Sequence, residues 1–357
     1  MYTLLAHREN LTISGRRALK TLLAANKRLH HYGGVRAHSR KASHESGLPR
    51  DGVQVALRVM SRLTKSRLIF QLAPNFHGAT LVSLLLNNHS RVASLGDTLP
   101  TLVYDQVCGC REKVSRCAFW SEVRRRIPER GYSTFLPLAP KWFGGAWLNG
   151  RLLYLCAAAS LRAGVVLSDR PFFDSFDTMV SLVRETTGKD IFLDGAKSVH
   201  RFLAVAASGR PVDLVLHTIR DPRGFVLSSK KNAKMDAKAA ISVYNGYHSR
   251  VLRAIALAGV PAVPVPYDML HQQSNRIFHE IFQRLGLPDE DVMRPVGAFN
   301  HWMGNSSLFA FDGRIRANRK YLEELSVEEQ KQVWTGTERV RRTLEERYER
   351  SLFEVSR

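Results

Sequence analysis

The stretch Val212–Lys231, VDLVLHTIRDPRGFVLSSKK, decides how the rest of the chain is read. It opens on an apolar run rich in β-branched residues, Val212 to Ile219, with the length and composition of a buried strand. The run breaks at Arg-Asp-Pro-Arg-Gly. Pro222 suits a first helical turn, where its missing N–H is no loss, and Phe225 onward continues as helix. Arg220 therefore falls at the carboxyl end of a parallel strand, and Ser228 about two turns into the next helix. Open α/β sheets bind ligands at the carboxyl ends of their strands. A guanidinium and a hydroxyl placed there can grip a phosphate together, the arginine through bidentate charge-assisted hydrogen bonds.

Outward from this stretch the chain keeps alternating strand and helix. Upstream, Ile191–Leu193 reads as a strand running into Asp194-Gly-Ala-Lys197-Ser198, and Ser198–Ala207 as the helix that returns to the Val212 strand in a right-handed βαβ unit. Val165–Asp169 reads as a further strand and Asp177–Thr186 as a helix. Further back, Leu68–Leu72 is a short strand, Ala73-Pro-Asn-Phe-His-Gly78 a turn, and Ala79–Asn88 a strongly helical pattern. Strand, glycine turn and helix form a phosphate cradle, because free amides at a helix start meet an anion. No GxxxxGK[ST] is present, so this is not a Walker A loop. Downstream, Ala237–Ala258 is a long amphipathic helix, Val263–Pro266 a strand, Ile277–Leu285 a helix ending at Gly286, and Ser326–Tyr348 a charged helix. The expected class is α/β: a P-loop-like three-layer fold with a central parallel sheet flanked by helices.

Bulk properties fit one such domain plus appendages. The 357 residues are 44% hydrophobic, enough for a sizeable core, and the formal net charge is +21. That excess favours anionic partners: nucleotides, acidic glycans, nucleic acid or an anionic membrane. Four cysteines make no disulfide scaffold. The start of the sequence lacks a continuous apolar signal region, and Leu152–Leu167, interrupted by Arg162, is short for a membrane span, so a cytoplasmic setting is expected. Residues 1–67 hold 14 Lys or Arg against three acidic residues. We read 1–66 as a basic, partly helical arm and 67–357 as the α/β domain, with 100–160 as an inserted region. The arm is a solvated basic segment, a nucleic-acid or anionic-surface contact, or a targeting peptide. Residues 121–150 are basic, aromatic and loop-rich.

The order of these pieces resembles the sulfotransferases that use PAPS (3′-phosphoadenosine 5′-phosphosulfate). Strand-Arg-Asp-Pro-Arg-Gly followed by Ser is similar to that family's 3′-phosphate segment, which pairs an Arg with a Ser eight residues later; here these are Arg220 and Ser228, with Ser229 as the second choice. The Asn75–Leu81 turn resembles the 5′-phosphosulfate loop. Aligned without gaps, Gly78, Ala79, Thr80 and Leu81 take the Gly-Thr-Thr-Leu positions, and Phe76 stands where the family has Arg or Lys. Phe supplies no charge to the leaving phosphate; His77 and Lys197 are the candidate substitutes. The segment His89 to Asp97 is similar to the family's His-Pro…Gly-Glu element. The resemblance makes Asp97, 21 residues after Phe76, the general base, with His77 as alternative. Asp194-Gly-Ala-Lys197 resembles a Val-Asp-Ser-Ser-Lys element, and Tyr267-Asp268-Met-Leu270 a Tyr-Glu-x-Leu segment that closes the sheet. His301-Trp-Met-Gly304-Asn305 resembles a His-x-x-Gly-Asn element on the 3′-phosphate side; Leu308 replaces its usual Arg, for which Arg314 or Arg316 can substitute.

The resemblance implies a cofactor, PAPS, giving PAP as product, and a sulfuryl acceptor that is a small molecule or glycan. The inserted region would face the acceptor. Nucleic acid is a weaker candidate partner, through the basic arm. The implied cofactor-binding set is Asn75, Phe76, Gly78, Ala79, Thr80, Arg220, Ser228, Gly304 and Asn305; the catalytic set is Asp97, His77 and Lys197. Cys108-Gly-Cys110 and Cys117-Ala-Phe-Trp120 are similar to a Cys-x-Cys…Cys-x-Phe-Trp insert of bacterial sulfotransferase-like proteins. Three cysteines so close are zinc ligands, buried thiols or a disulfide pair with one left over. No fourth ligand is evident in the sequence, so no metal is assigned.

Overall fold

A computed structural model describes residues 67–96, 107–126, 146–167, 170–295, 301, 309 and 311–353, all within one compact unit, Arg58–Arg357. Five strands form one sheet: β1 (Arg67–Leu72), β2 (Val92–Ser94), β3 (Ile191–Asp194), β4 (Leu214–Ile219) and β5 (Ala262–Pro266). Their order is β2-β3-β1-β4-β5 and every pairing is parallel. The register sets Phe70 beside Asp194 on one side and Val215 on the other.

Alternation along the strands sorts side chains onto two buried faces. Leu68, Phe70, Leu72, Phe192 and Val215 point to one face; Ile69, Ile191, Leu193, Leu214 and Leu216 point to the other. Burying each such side chain is worth about 1.5–3 kcal/mol, more than the ~1 kcal/mol span of intrinsic strand propensity, so burial on both sides sets the pattern. The first face is covered by α3 (Ala146–Ala163), α4 (Arg170–Thr187), α5 (Val199–Ala207) and α7 (Ala237–Ala258), which supply Ala157, Phe176, Phe202 and Val251. The second is covered by α1 (Ala79–Asn87) and α8 (Leu270–Leu285), through Val82, Leu85, Ile281 and Phe282. This is the three-layer α/β fold with a central parallel sheet that the sequence leads one to expect.

The remaining described helices are α2 (Ala118–Arg126), α6 (Pro222–Ala233), α9 (Tyr321–Glu324), α10 (Val327–Gly336) and α11 (Glu338–Tyr348). Three expectations need correction. Val165–Leu167 is not a strand: α3 ends just before it, Val165 and Val166 are exposed, and Leu167 N–H donates to Ala207 O. The charged helix expected over Ser326–Tyr348 is two helices, broken at Thr337, whose backbone (φ −111°, ψ 1°) leaves the helical region. Residues 121–126 and 146–150 of the stretch read as loop-rich are helical. Among the described residues no helix is long and apolar enough to cross a membrane. The basic arm lies outside the described residues.

Candidate functional site

The chain leaves β1 toward β2 and leaves β4 toward β5, so β1 and β4 are neighbours whose onward connections diverge. A crevice at the carboxyl ends of such a pair is where open α/β sheets hold ligands. The two turns there are Ala73–Gly78 after β1 and Arg220–Asp221 after β4.

The Arg-Asp-Pro-Arg turn is held by its own residues. Asp221 caps α6 by accepting from Arg223 N–H at 2.8 Å, and Pro222 takes the first helical position. The Arg223 guanidinium closes back on both Asp221 carboxylate oxygens, at 3.0 and 2.7 Å, and lies over the Trp334 ring. Asp268 accepts from Asp221 N–H at 2.6 Å, and Tyr244 Oη donates to Arg220 O at 2.9 Å. These contacts occupy Asp221 and Arg223 and leave the Arg220 side chain facing the β1 turn. Its Nη1 donates to Phe76 O at 2.6 Å and to Ser228 Oγ at 3.0 Å. The pair expected to hold a phosphate is thus brought together. Arg220 is 7% exposed, and among the described residues its Nε has no hydrogen-bond partner and its nearest carboxylate oxygen, Asp268 Oδ1, is 4.0 Å away. A buried guanidinium with an unsatisfied N–H suits an oxyanion ligand.

The β1 turn approaches this arginine with unusual backbone geometry. Phe76 (φ 62°) and Gly78 (φ 74°) both lie in the left-handed region. Gly78 starts α1, accepting from Leu81 and Val82 N–H and leaving the amides of Ala79 and Thr80 without intrahelical partners by position. The Tyr267 ring lies so close to Gly78 that a Cβ there would come within 2.0 Å of it. Gly78→Ala is therefore expected to cost about 2–4 kcal/mol, from overpacking plus left-handed strain, measured as a drop in the urea unfolding midpoint. An unchanged midpoint would show that Tyr267 swings away freely.

His77 does not face this crevice. It is fully buried, its ring tilted against those of Phe225, Tyr244 and His248. Its Nδ1 lies 3.1 Å from Asn75 O and its Nε2 lies 3.2 Å from His248 Nε2. His248 Nδ1 is 2.8 Å from His217 Nε2, and His217 Nδ1 is 2.9 Å from Tyr348 Oη. One assignment of protons satisfies the whole chain with neutral rings: Tyr348 donates to His217, His217 to His248, His248 to His77, and His77 to the Asn75 carbonyl. Burial drives the pKa of all three imidazoles down; that of His217 falls to about 3. A neutral, inward-facing His77 supplies no positive charge to the crevice. Its place is to anchor the β1 turn to α7, β4 and α11.

Lys197 follows β3, half-buried, with φ 62° and its carbonyl accepting from Tyr247 Oη at 2.5 Å. Asp194 is not its partner: that carboxylate pairs with Arg201 at 2.9 Å and accepts from Ala196 N–H. Asp97 lies outside the described residues, as do Gly304 and Asn305. The residue before Asp97 is placed: a Cβ on Gly195 would sit 2.7 Å from Gly96 O, so the chain entering Asp97 runs against the turn after β3. Asn75 is exposed at the tip of the β1 turn, and Arg316 pairs on the surface with Asp312 at 2.6 Å.

No known family matches the chain, and no curated protein matches it. Solved structures do. The backbone is similar to sulfotransferase domains. One is the sulfotransferase domain of the Synechococcus PCC 7002 olefin synthase, at 13% identity, covering 82% of this chain and 96% of that one with a TM-score of 0.39. Another is the sulfotransferase domain of the curacin biosynthetic pathway, at 12% identity, covering 78% and 97%, with a TM-score of 0.39. A third is a sulfotransferase of Mycobacterium avium, at 15% identity, covering 84% and 82%, with a TM-score of 0.41.

Some members of the site were hidden in the sequence. Phe76 contributes its carbonyl, which any residue carries, so residue identity gives no signal. Tyr267 was legible only as part of a strand-end segment; its packing on Gly78 spans 189 positions, from 78 to 267.

Proposed function

We infer that this protein is a PAPS-dependent sulfotransferase, moving a sulfuryl group to a hydroxyl of a small-molecule or glycan acceptor, with an amine as second choice, in a cytoplasmic setting. The observation that carries the reading is the Arg220–Ser228 pair, 3.0 Å apart, beside a turn that opens a helix at the sheet's crevice. In this reading Arg220 and Ser228 hold the 3′-phosphate, with Gly304 and Asn305 on the same side. Asn75, Phe76, Gly78, Ala79 and Thr80 line the 5′-phosphosulfate through backbone amides and the Thr80 hydroxyl. PAPS supplies an activated sulfuryl group on a good leaving phosphate. The protein's part is positioning and charge stabilisation, by analogy with phosphoryl transfer. Lys197 is the cation that offsets charge on the phosphosulfate, since Phe76 has none and His77 is neutral. Asp97 takes the acceptor's proton.

The test is calorimetric titration of PAP into the wild type and Arg220→Ala. Binding to the wild type and loss of at least about tenfold in the variant is expected, since a charge-assisted hydrogen bond is worth ~1.5–3 kcal/mol. A folded wild type that ignores PAP refutes the assignment. Phe76 favours a second reading, a sulfotransferase-like protein that binds a nucleotide or polyanion without catalysis. Turnover of PAPS by the wild type, lost in Lys197→Met, would discard it.

A further inference from the structure

We propose that Cys108, Cys110, Cys117 and His301 form a structural zinc site. The three thiols come from one short insert; the imidazole arrives from almost two hundred residues later. The four candidate ligand atoms all lie within 4.8 Å of one another. Cys110 Sγ is 3.6 Å from Cys117 Sγ, and Cys117 Sγ is 3.8 Å from Cys108 Sγ. His301 Nδ1 is 3.3 Å from Cys117 Sγ and 3.7 Å from Cys108 Sγ.

These are four of the six edges of a tetrahedron, and each is close to the size a zinc ion sets. With Zn–S near 2.3 Å and Zn–N near 2.0–2.1 Å, tetrahedral geometry puts sulfur atoms about 3.8 Å apart and sulfur about 3.5 Å from nitrogen. A disulfide would instead bring two sulfurs to about 2.05 Å, and all four cysteines of the chain are free. Pairing two of the three would leave the third and the imidazole without a reason to converge.

The surroundings are built for ligation. Cys108 to Lys113 forms a tight turn, closed by Cys108 N–H to Glu112 O and Arg111 N–H to Cys108 O, with Arg111 in the left-handed region and Val107 bridging Lys113. Cys117 directly precedes α2, and the His301 ring stacks on Phe119 from that helix, centroids 4.7 Å apart and planes 7° apart, which fixes how Nδ1 is presented. Cys108 and Cys117 are buried. Four protein ligands leave no open position, so the site is structural rather than catalytic. It would tie the insert between β2 and α3 to the late segment that carries Gly304 and Asn305.

The test uses the full chain purified without chelator under reducing conditions. Elemental analysis is expected to find zinc equimolar with protein. Replacement by Co(II) is expected to give the visible bands of a tetrahedral thiolate site, with sulfur-to-cobalt charge transfer. Cys108→Ser/Cys117→Ser is expected to lose the metal, and His301→Ala to weaken it. Because these variants can fail to fold, the wild type carries its own control: chelation should lower its unfolding midpoint and expose three further thiols to a thiol reagent beyond Cys156. Absence of zinc together with absence of cobalt bands overturns the proposal, as does an intact-mass result showing a disulfide among the three cysteines in the native protein. None of these readouts depends on PAP binding.

Discussion

Lowering the pH from 7.5 to 5.5 is expected to cost the protein on the order of 4 kcal/mol of folding stability. The cause is the buried row His77, His248 and His217. Desolvation is the largest influence on each and lowers each pKa; repulsion from Arg220 and from His217 adds to it at His77, and from the other two imidazoles at His248. The Asn75 carbonyl opposes the shift at His77 without reversing it. In the unfolded chain these groups titrate near 6.5, so below that pH the unfolded state binds more protons than the native one. Stability is then fully present above the unfolded value and is lost as pH falls beneath it, at about 1.4 kcal/mol per unit for each ring that stays neutral. His200, held down to about 4 mainly by burial, acts in the same direction. The hydrogen-bond row explains why the loss is steep: each ring has one donor and one acceptor in use, and an added proton sets donor against donor. Urea unfolding at several pH values measures the effect. A midpoint that stays flat between pH 7.5 and 5.5 would show that the rings are not held neutral.

That row also marks where sequence reading stops. The strands β1, β4 and β5 are legible because they are apolar on both faces, and their turns because Gly, Pro and Asp have fixed local uses. Arg220 and Ser228 were legible for the same reason: both belong to one strand–turn–helix unit. β2 was not read, since Val-Ala-Ser is too short to stand out and is a strand only because β3 lies beside it. Val165–Leu167 was misread in the opposite sense; a β-branched run has strand composition, but these residues pair with no strand and use a hydrogen bond to Ala207 O instead. His77 in a polar turn looks available for chemistry. What removes it are His217 and His248, 140 and 171 positions away. His301 was placed in a phosphate-side element by its neighbours in sequence, whereas its ring belongs to three cysteines nearly two hundred positions earlier. Local patterns report elements and caps; convergence of distant side chains is a property of the packing.

Asp194→Ala is expected to destabilise the protein by about 3–5 kcal/mol, the second large effect. Asp194 and Arg201 are both 2% exposed and lie 2.9 Å apart. Removing the carboxylate leaves a guanidinium in a space that excludes water, a penalty the lost attraction alone does not measure. Asp194 also accepts from Ala196 N–H at 2.9 Å, which shapes the turn that carries Lys197 in its left-handed conformation. Two contributions are therefore mixed in the single variant, and a second pair separates them. Arg201→Met removes the cation and strands the carboxylate, so it is expected to be similarly costly. Asp194→Asn/Arg201→Met leaves no buried charge and keeps an acceptor for Ala196 N–H, so it should recover most of the loss. Chemical denaturation of the wild type, Asp194→Asn, Arg201→Met and Asp194→Asn/Arg201→Met gives the coupling directly. Additive penalties in the double variant would mean that the charges are independently solvated and that the ion pair does not hold the turn. Recovery of stability with wild-type affinity for PAP would assign the pair to the fold and not to the ligand.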